Sequence, residues 1–429
     1  MDVTGEGEPV GGDNERALSG LLQAMHLAGM EKLAAQAVAH ARLAGFPHVV
    51  IYVTDLQQQL LVPLPGQRDA AGEPLEVMRI DGSLPGRAFR AVTIVRARSP
   101  QRPQEHRHGH GREPAPLLWL PLLDGTERVG VMGLTTPGDA PGDEPMDEAV
   151  AEARAKDLAS LVALLVISKR PHSDSFSRLV RTRPLTLSAE VLWNLLPPGT
   201  FANDDVVVSA ALEPAYEMGG DAFDYALDGD LLNLSIFDAM GHDTSAGLTA
   251  SIAVAACRNS RVQGLDLATT GEVIDEAIRG EFTGRFATGI LARLCLGTGL
   301  LTWVNRGHHP PLVLREGRLV ATLQSVPDPP MGFGLDASTG QQQYQLEPGD
   351  RLLFYTDGII EAQSPGGELF GLERFIDFVL RQEAGGMSAP ETLRRLIQAI
   401  LAHQRGRLQD DATVVTVEWQ TRRRFQLVL

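Results

Sequence analysis

Four acidic positions in the second half of the chain stand where an apolar run ends or a glycine turn begins. Gly219-Gly220-Asp221 is followed three residues on by Asp224, and Asp238 closes the run LLNLSIFD and precedes AMGHD. Asp357-Gly358 follows LLFYT, and Asp410-Asp411 stands directly before ATVVTV. A carboxylate just past an apolar strand is held by stiff backbone and points out of the sheet edge. Several that converge form an oxygen cage suited to a hard divalent cation such as Mg2+ or Mn2+. The neighbouring glycines let carbonyls and water come close. Any one Asp alone is better explained as a cap or a turn. Four at strand ends, separated by long spacings, are harder to read that way.

Other residues are open to two readings. Asp243 either adds negative charge near the four sites or caps a helix beginning near Ser245, and the cap fits better. His242 is either a general acid near a leaving oxygen or an ordinary loop histidine. His308 and His309, in NRGHHPP, read as structural residues that fix a strand connection. His106, His108 and His110 alternate in SPQRPQEHRHGHGREPAP. A solvated basic loop suits them better than a metal site, since no acidic or Cys partner is near in sequence. Cys257 and Cys295 read as core residues. Two cysteines make neither a disulfide framework nor a thiolate zinc cluster.

The elements that must position the acidic sites follow from periodicity. Val206 to Leu212, Leu231 to Phe237, Gly289 to Leu296, Leu300 to Val304, Leu312 to Leu314, Leu352 to Tyr355 and Thr413 to Val417 read as strands. Ser245 to Ser260, Leu267 to Arg279, Leu372 to Arg381 and Ala389 to Gln404 read as helices. This order suggests antiparallel sheets covered by helices. In the first half, Ala17 to Ala44 has helical spacing broken at Gly29. Val49 to Val53 and Leu60 to Pro63 suit a hairpin, Ser83 to Ala91 a short helix, and Leu117 to Leu123 with Val129 to Leu134 a second hairpin. A helix is expected from Pro145 to Ile167, with acidic residues at its start. Residues 169–186 have a linker composition.

A length of 429 residues implies two or three domains. With 43% hydrophobic and 21% charged residues, the chain is a folded protein and not a disordered one. A net charge of -16, from 54 acidic and 38 basic residues, argues against a nucleic-acid partner. It leaves a protein partner or a cationic metal open. The N-terminus MDVTGEGEPVGGDNE has neither a basic nor an apolar signal segment. The longest apolar run, near Leu158 to Ile167, is shorter than the roughly 20 residues that span a bilayer. A cytoplasmic chain with no membrane contact is expected.

Taken in order, GGDAFDY, DAMGHD, NRGHHPP, EPGDRLLFYTDGIIEA and DDAT resemble the SpoIIE-like branch of the PPM phosphatases, relatives of protein phosphatase 2C. Pro329 to Gly334, Leu369 to Phe375 and the LLPP before the domain fit the same family. The resemblance covers nearly all of residues 197–419. It implies a metal-dependent phosphoprotein Ser/Thr phosphatase with two Mn2+ or Mg2+ ions. By position, Asp238 would bridge both ions with help from the Ala239 carbonyl. Asp357 and Asp410 would hold one ion and Asp221 the other, directly or through water. Asp411 or Asp224 could contribute, though both read as standing behind the ligands. Family two-metal chemistry attacks phosphorus with a water acidified between the ions. Asp243 departs from the family, which often has Gly there, and no counterpart of the eukaryotic branch's phosphate-binding Arg is found. The resemblance further implies a phosphorylated anti-sigma-factor antagonist with a STAS-like fold as substrate.

GSLPGRAF and LWLPLLDGTERVGVMGL resemble a GAF sensor domain. Neither cysteine lies there, which excludes a thioether-linked chromophore. The expected fold class is α+β. It comprises a disordered tail (1–15), a GAF-like α/β/α sensor domain (16–142), a helical linker (143–196), a PPM-type α-β-β-α sandwich (197–419) and a C-terminal tail (420–429). The linker helix carries an apolar stripe of Val150, Leu158, Leu161 and Leu165 with several alanines. It either packs on its own sensor domain or pairs across a dimer axis, and a homodimer is the expected assembly. Two rival readings remain. GGDAF superficially resembles the GGDEF signature of diguanylate cyclases, but its fourth residue differs and no later motif belongs to a cyclase. A degenerate, non-catalytic signalling protein is the other rival, and the presence of all four acidic sites weighs against it.

Overall fold

The computed structural model describes residues 12–69, 72–97, 118–136, 146–214, 216–217, 219–337, 340–406 and 408–420. The chain separates into two compact units that divide between Thr182 and Arg183.

The first unit is one antiparallel sheet with helices on both faces. Its elements are α1 (Gly12–Met25), α2 (Leu33–Leu43), β1 (His48–Thr54), β2 (Leu60–Pro63), β3 (Met78–Arg79), α3 (Leu84–Ala91), β4 (Val95–Arg96), β5 (Leu118–Asp124), β6 (Glu127–Thr135), α4 (Glu148–Lys169) and α5 (Asp174–Val180). The strand order is β3-β2-β1-β6-β5-β4. Side chains alternate across it as the pleat dictates. Ile51, Leu120 and Met132 join α1, α2 and α4 in one core, while Tyr52, Trp119 and Val131 meet Phe89 of α3 on the other face. This is the expected α/β/α layering.

Several boundaries differ from expectation. α1 reaches back to Gly12, into the expected tail, with Asp13 and Glu15 in its first turn where the helix dipole favours them. α4 starts at Glu148, not Pro145, because the Asp147 carboxylate accepts from the Ala149 and Val150 amides. Of the expected α4 stripe, Leu158 and Leu165 are buried in their own unit and Leu161 packs half-buried against the same core, as in the first of the two options above, while Val150 is half-buried. Within the span expected to be a linker, α4 and α5 lie in the first unit and the next helix in the second. The loop of His106, His108 and His110 and the tail beyond Gln420 lie outside the described residues. Among the described residues no helix is long and apolar enough to cross a membrane.

The second unit contains α6 (Leu187–Leu195), β7 (Thr200–Ala202), β8 (Val206–Glu213), β9 (Asp221–Asp228), β10 (Leu231–Ala239), α7 (Thr244–Val262), α8 (Leu267–Glu281), β11 (Ala287–Cys295) and β12 (Leu300–Arg306). It continues with β13 (Leu312–Arg315), β14 (Arg318–Thr322), β15 (Gln342–Gln345), β16 (Arg351–Tyr355), α9 (Asp357–Ile360), α10 (Leu372–Ala384), α11 (Ala389–His403) and β17 (Ala412–Trp419). Two antiparallel sheets form, ordered β15-β12-β11-β10-β9 and β14-β13-β16-β17-β8-β7. Leu352, Phe354, Val415 and Val417 point into the core shared with the first sheet. Leu353, Tyr355 and Val414 point the other way, onto α10 and α11. On the first sheet, Ser235 of β10 faces Cys257 of α7. The layers are therefore α-β-β-α, as expected.

All seven expected strands and four expected helices of this unit are present. β9 was not expected, because Gly-Gly and three aspartates within ten residues read as a turn. Asp221 is thus the first residue of a strand.

Candidate metal centre

β9 and β10 pair so that Asp238 lies directly opposite Asp221. On an antiparallel pair, directly opposed Cβ atoms are about 4.5–5.5 Å apart, and like charges there repel. Side chains at even positions of β10 and odd positions of β9 point away from α7, toward the second sheet. From that sheet, β16 ends at Tyr355 and delivers Thr356 and Asp357, while Asp410 and Asp411 enter β17. Asp221 and Asp238 of one sheet thus meet Asp357, Asp410 and Asp411 of the other at one end of the sandwich.

The surrounding hydrogen bonds fix this arrangement. The Thr356 hydroxyl donates to Asp221 Oδ2 at 2.7 Å and accepts from the Thr413 amide at 2.9 Å. Asp411 Oδ2 accepts from the amides of Gly219 at 2.7 Å and Asp221 at 3.2 Å. Asp411 therefore ties the start of β9 to the start of β17. The glycines permit close approach: a Cβ on Gly220 would lie 2.0 Å from the Ala239 carbonyl oxygen, and one on Gly358 would lie 1.8 Å from that of Asp411.

Burial and mutual repulsion raise every carboxyl of the group. Burial comes first for Asp221, then the charges of Asp238 and Asp411, and its pKa stands well above the usual range. Asp238 is pushed up to about 7, by burial and then by Asp357, Asp410 and Asp411. Asp411 is raised to about 6 by burial and Asp410, against the pull of its backbone donors. Asp357 and Asp410 are raised as well, chiefly by desolvation. His309 acts against this at Asp357, and His242 at Asp410.

Five carboxylates held together without a Lys or Arg ion pair among the described residues make a site that calls for cations, and an all-oxygen donor set suits hard ones. Among the described residues no three acidic, His or Cys side chains already converge on one point. Each ion would then take one or two carboxylates and complete its shell with water, as Mg2+ commonly does.

This arrangement sets a pH dependence. Carboxyls whose pKa is higher folded than unfolded bind more protons in the folded state, so metal-free stability falls as pH rises from about 4 through about 7. A divalent ion would replace those protons. The rise in unfolding temperature caused by Mn2+ should therefore be larger at about pH 7.5 than at about pH 5. Thermal melts with and without Mn2+ at both pH values check this, and a larger rise at the acidic pH contradicts it.

The remaining sequence candidates divide. Asp224 is on the opposite face of β9, where Arg258 and Arg261 of α7 pair with it at 2.6 Å and 2.9 Å. Asp243 caps α7 through the Ala246 amide, which with Arg285 lowers its pKa. His308 is buried, and burial drives its pKa down to about 3. Its Nε2 donates to the Tyr355 carbonyl, so Nδ1 accepts from Thr288 Oγ1. It is structural, as expected, while His309 stacks on Tyr355 at 5.7 Å. Cys257 is buried, its pKa pushed up to about 11, and Cys295 lies within β11.

Sequence reading missed Thr356 and Arg285. The threonine could have been suspected from its place between an apolar strand and Asp357. Arg285 carries no local signal: it donates to the Met240 carbonyl at 2.9 Å and to Asp243 at 2.7 Å, across 45 and 42 residues.

A family model described as Stage II sporulation protein E (SpoIIE) matches residues 228–420, which hold Asp238, Asp357, Asp410 and Asp411. The chain is 29% identical over 133 residues to Protein IcfG of Synechocystis sp., covering 31% of this chain and 20% of that protein. It is 23% identical over 237 residues to the phosphoserine phosphatase RsbU of Bacillus subtilis, covering 54% of this chain and 69% of that one. Among solved structures, the RsbU and RsbW domains of Rv1364c from Mycobacterium tuberculosis align with a TM-score of 0.44 and 24% identity. That alignment covers 53% of this chain and 63% of the other.

Proposed function

We propose that this chain, whose residues 228–420 form a SpoIIE-family domain, is a metal-dependent phosphatase that hydrolyses phosphoserine or phosphothreonine on another protein. The observation that carries the reading is the meeting of Asp221, Asp238, Asp357 and Asp410, from four separate segments, at one end of the sandwich. Asp221, Asp238, Asp357 and Asp410 would hold the ions. When bound, Mn2+ or Mg2+ ions supply positive charge to phosphoryl oxygens and acidify water. Thr356 and Asp411 hold Asp221 in place, and Gly220 keeps the Ala239 carbonyl beside it. Asp224, paired to α7, anchors the helix and holds no ion.

The similarity to a protein named phosphoserine phosphatase supports the reaction class. The substrate implied by the family resemblance is a phosphorylated, STAS-like anti-sigma-factor antagonist. The N-terminal unit is assigned a GAF-like sensor role that regulates this activity, and a homodimer belongs to the same reading.

Hydrolysis of p-nitrophenyl phosphate separates this reading from a non-catalytic docking protein. Turnover should require Mn2+ or Mg2+ and vanish with EDTA. Turnover that survives exhaustive chelation would sink the metal mechanism, and none under any metal would favour the docking protein.

A further inference from the structure

Resting on the phosphatase reading of the centre, we propose that an apolar island beside it is where the phosphorylated protein docks. The island is built on Phe333 and bracketed by Arg279 and Arg285. It selects a substrate with an apolar side chain next to the phosphoserine.

Phe333 is 48% exposed, on a loop that is firmly held. The Gly332 and Gly334 amides donate to Asp275 at 2.7 Å and 3.0 Å. Met331 and Ala287 exchange backbone hydrogen bonds, and Arg306 donates to the Pro329 carbonyl. A large aromatic ring on so fixed a loop is presented to solvent by design of the backbone, not by fraying. Its ring stacks on Phe286 at 4.8 Å. The Phe286 carbonyl accepts from the amide of Met240, two residues past Asp238, and the Met240 side chain is itself 38% exposed. The stacked Phe286–Phe333 pair is thereby tied to the chain two residues past Asp238.

Charge points to the same occupant. Arg285 grips the Met240 carbonyl and Asp243 on one side of the island. On the other side, the exposed Arg279 lies against Gly334, where an added Cβ would sit 3.0 Å from its guanidinium. Arg285 is already ion-paired with Asp243 at 2.7 Å, which leaves the exposed guanidinium of Arg279 as the positive charge at the island. An acidic residue flanking the phosphoserine suits that charge, the phosphate itself lying at the centre. Aromatic and Arg side chains are also the residues that most often anchor protein interfaces.

The test uses the full chain with Mn2+ and two phosphoseryl peptides of equal length and charge. One has leucine beside the phosphoserine and the other glycine. The wild type should prefer the leucine peptide by about tenfold in kcat/KM, the scale of one buried side chain. Phe333→Ser should remove that preference, Phe333→Leu should keep most of it, and Arg279→Glu should weaken both peptides. p-Nitrophenyl phosphate, too small to reach the island, reports on the centre itself. An unchanged peptide preference in Phe333→Ser overturns the proposal. So does light scattering that shows this variant losing a dimer while the preference stays, since the island would then be a contact between copies. Hydrolysis of p-nitrophenyl phosphate without any preference sinks the island alone. No hydrolysis of any substrate sinks the phosphatase reading and the island with it.

Discussion

Asp238→Asn is expected to lower turnover by about 10³-fold or more, the scale of several kcal/mol of metal-borne charge stabilisation. The same substitution should raise the stability of the metal-free protein. Asp238 lies opposite Asp221 and feels Asp357, Asp410 and Asp411, and burial with that repulsion pushes its pKa up to about 7. Asn keeps the shape and removes the charge. At neutral pH the relief is on the order of 1–2 kcal/mol. Steady-state kinetics at saturating Mn2+ and thermal melts in EDTA measure both effects. A variant with near-normal turnover removes Asp238 from the centre. A variant that is inactive because it has unfolded would not bear on the assignment, and the melts identify that case.

Gly220→Ala is expected to damage the centre without touching any carboxylate. Its Cβ would lie 2.0 Å from the Ala239 carbonyl oxygen and 2.9 Å from that of Gly241. Both neighbours are backbone and cannot swing aside. The start of β9 must move away from the end of β10, and Asp221 moves away from Asp238 with it. A misplacement near 1 Å can cost about 10²-fold in rate, and a loss of that size in kcat/KM, with weakened Mn2+ binding, is the expected result. Gly229→Ala serves as the comparison. It sits in the turn of the same hairpin at φ +56° with no heavy atom within 4 Å of the added carbon. It should cost about 1 kcal/mol of stability through left-handed strain and leave turnover unchanged. Equal activity losses in the two variants would contradict the steric account.

The fold was legible where apolar runs are long and regular. β10 and β16 are buried on both faces, so their sequences read as strands without help from their neighbours. β9 was not legible, because its aspartates serve different partners: Asp221 meets Thr356, while Asp224 meets two arginines of α7. Period-two reasoning places these two residues on opposite faces once the strand is known, and GGDAFDY looks like a turn until then. The carboxylates of the centre were legible because each ends or precedes an apolar run. Their supports were not. The bond from Thr356 to Asp221 spans 135 residues, and those from the Gly219 and Asp221 amides to Asp411 span 192 and 190. No local pattern encodes contacts of that range. The α4 stripe was legible as apolar, but periodicity alone does not say which surface covers it. The buried alanines of α4 lie against the sheet of their own unit.

In the proposed reading, one carboxylate group holds two divalent ions. Equilibrium dialysis against Mn2+, followed by metal analysis of the protein, counts them directly. About two ions per chain are predicted for the wild type, the number of a two-metal hydrolytic centre, with fewer in Asp238→Asn. A wild-type chain that retains no Mn2+ at millimolar free metal, or an Asp238→Asn variant that binds as many ions as tightly, would contradict it.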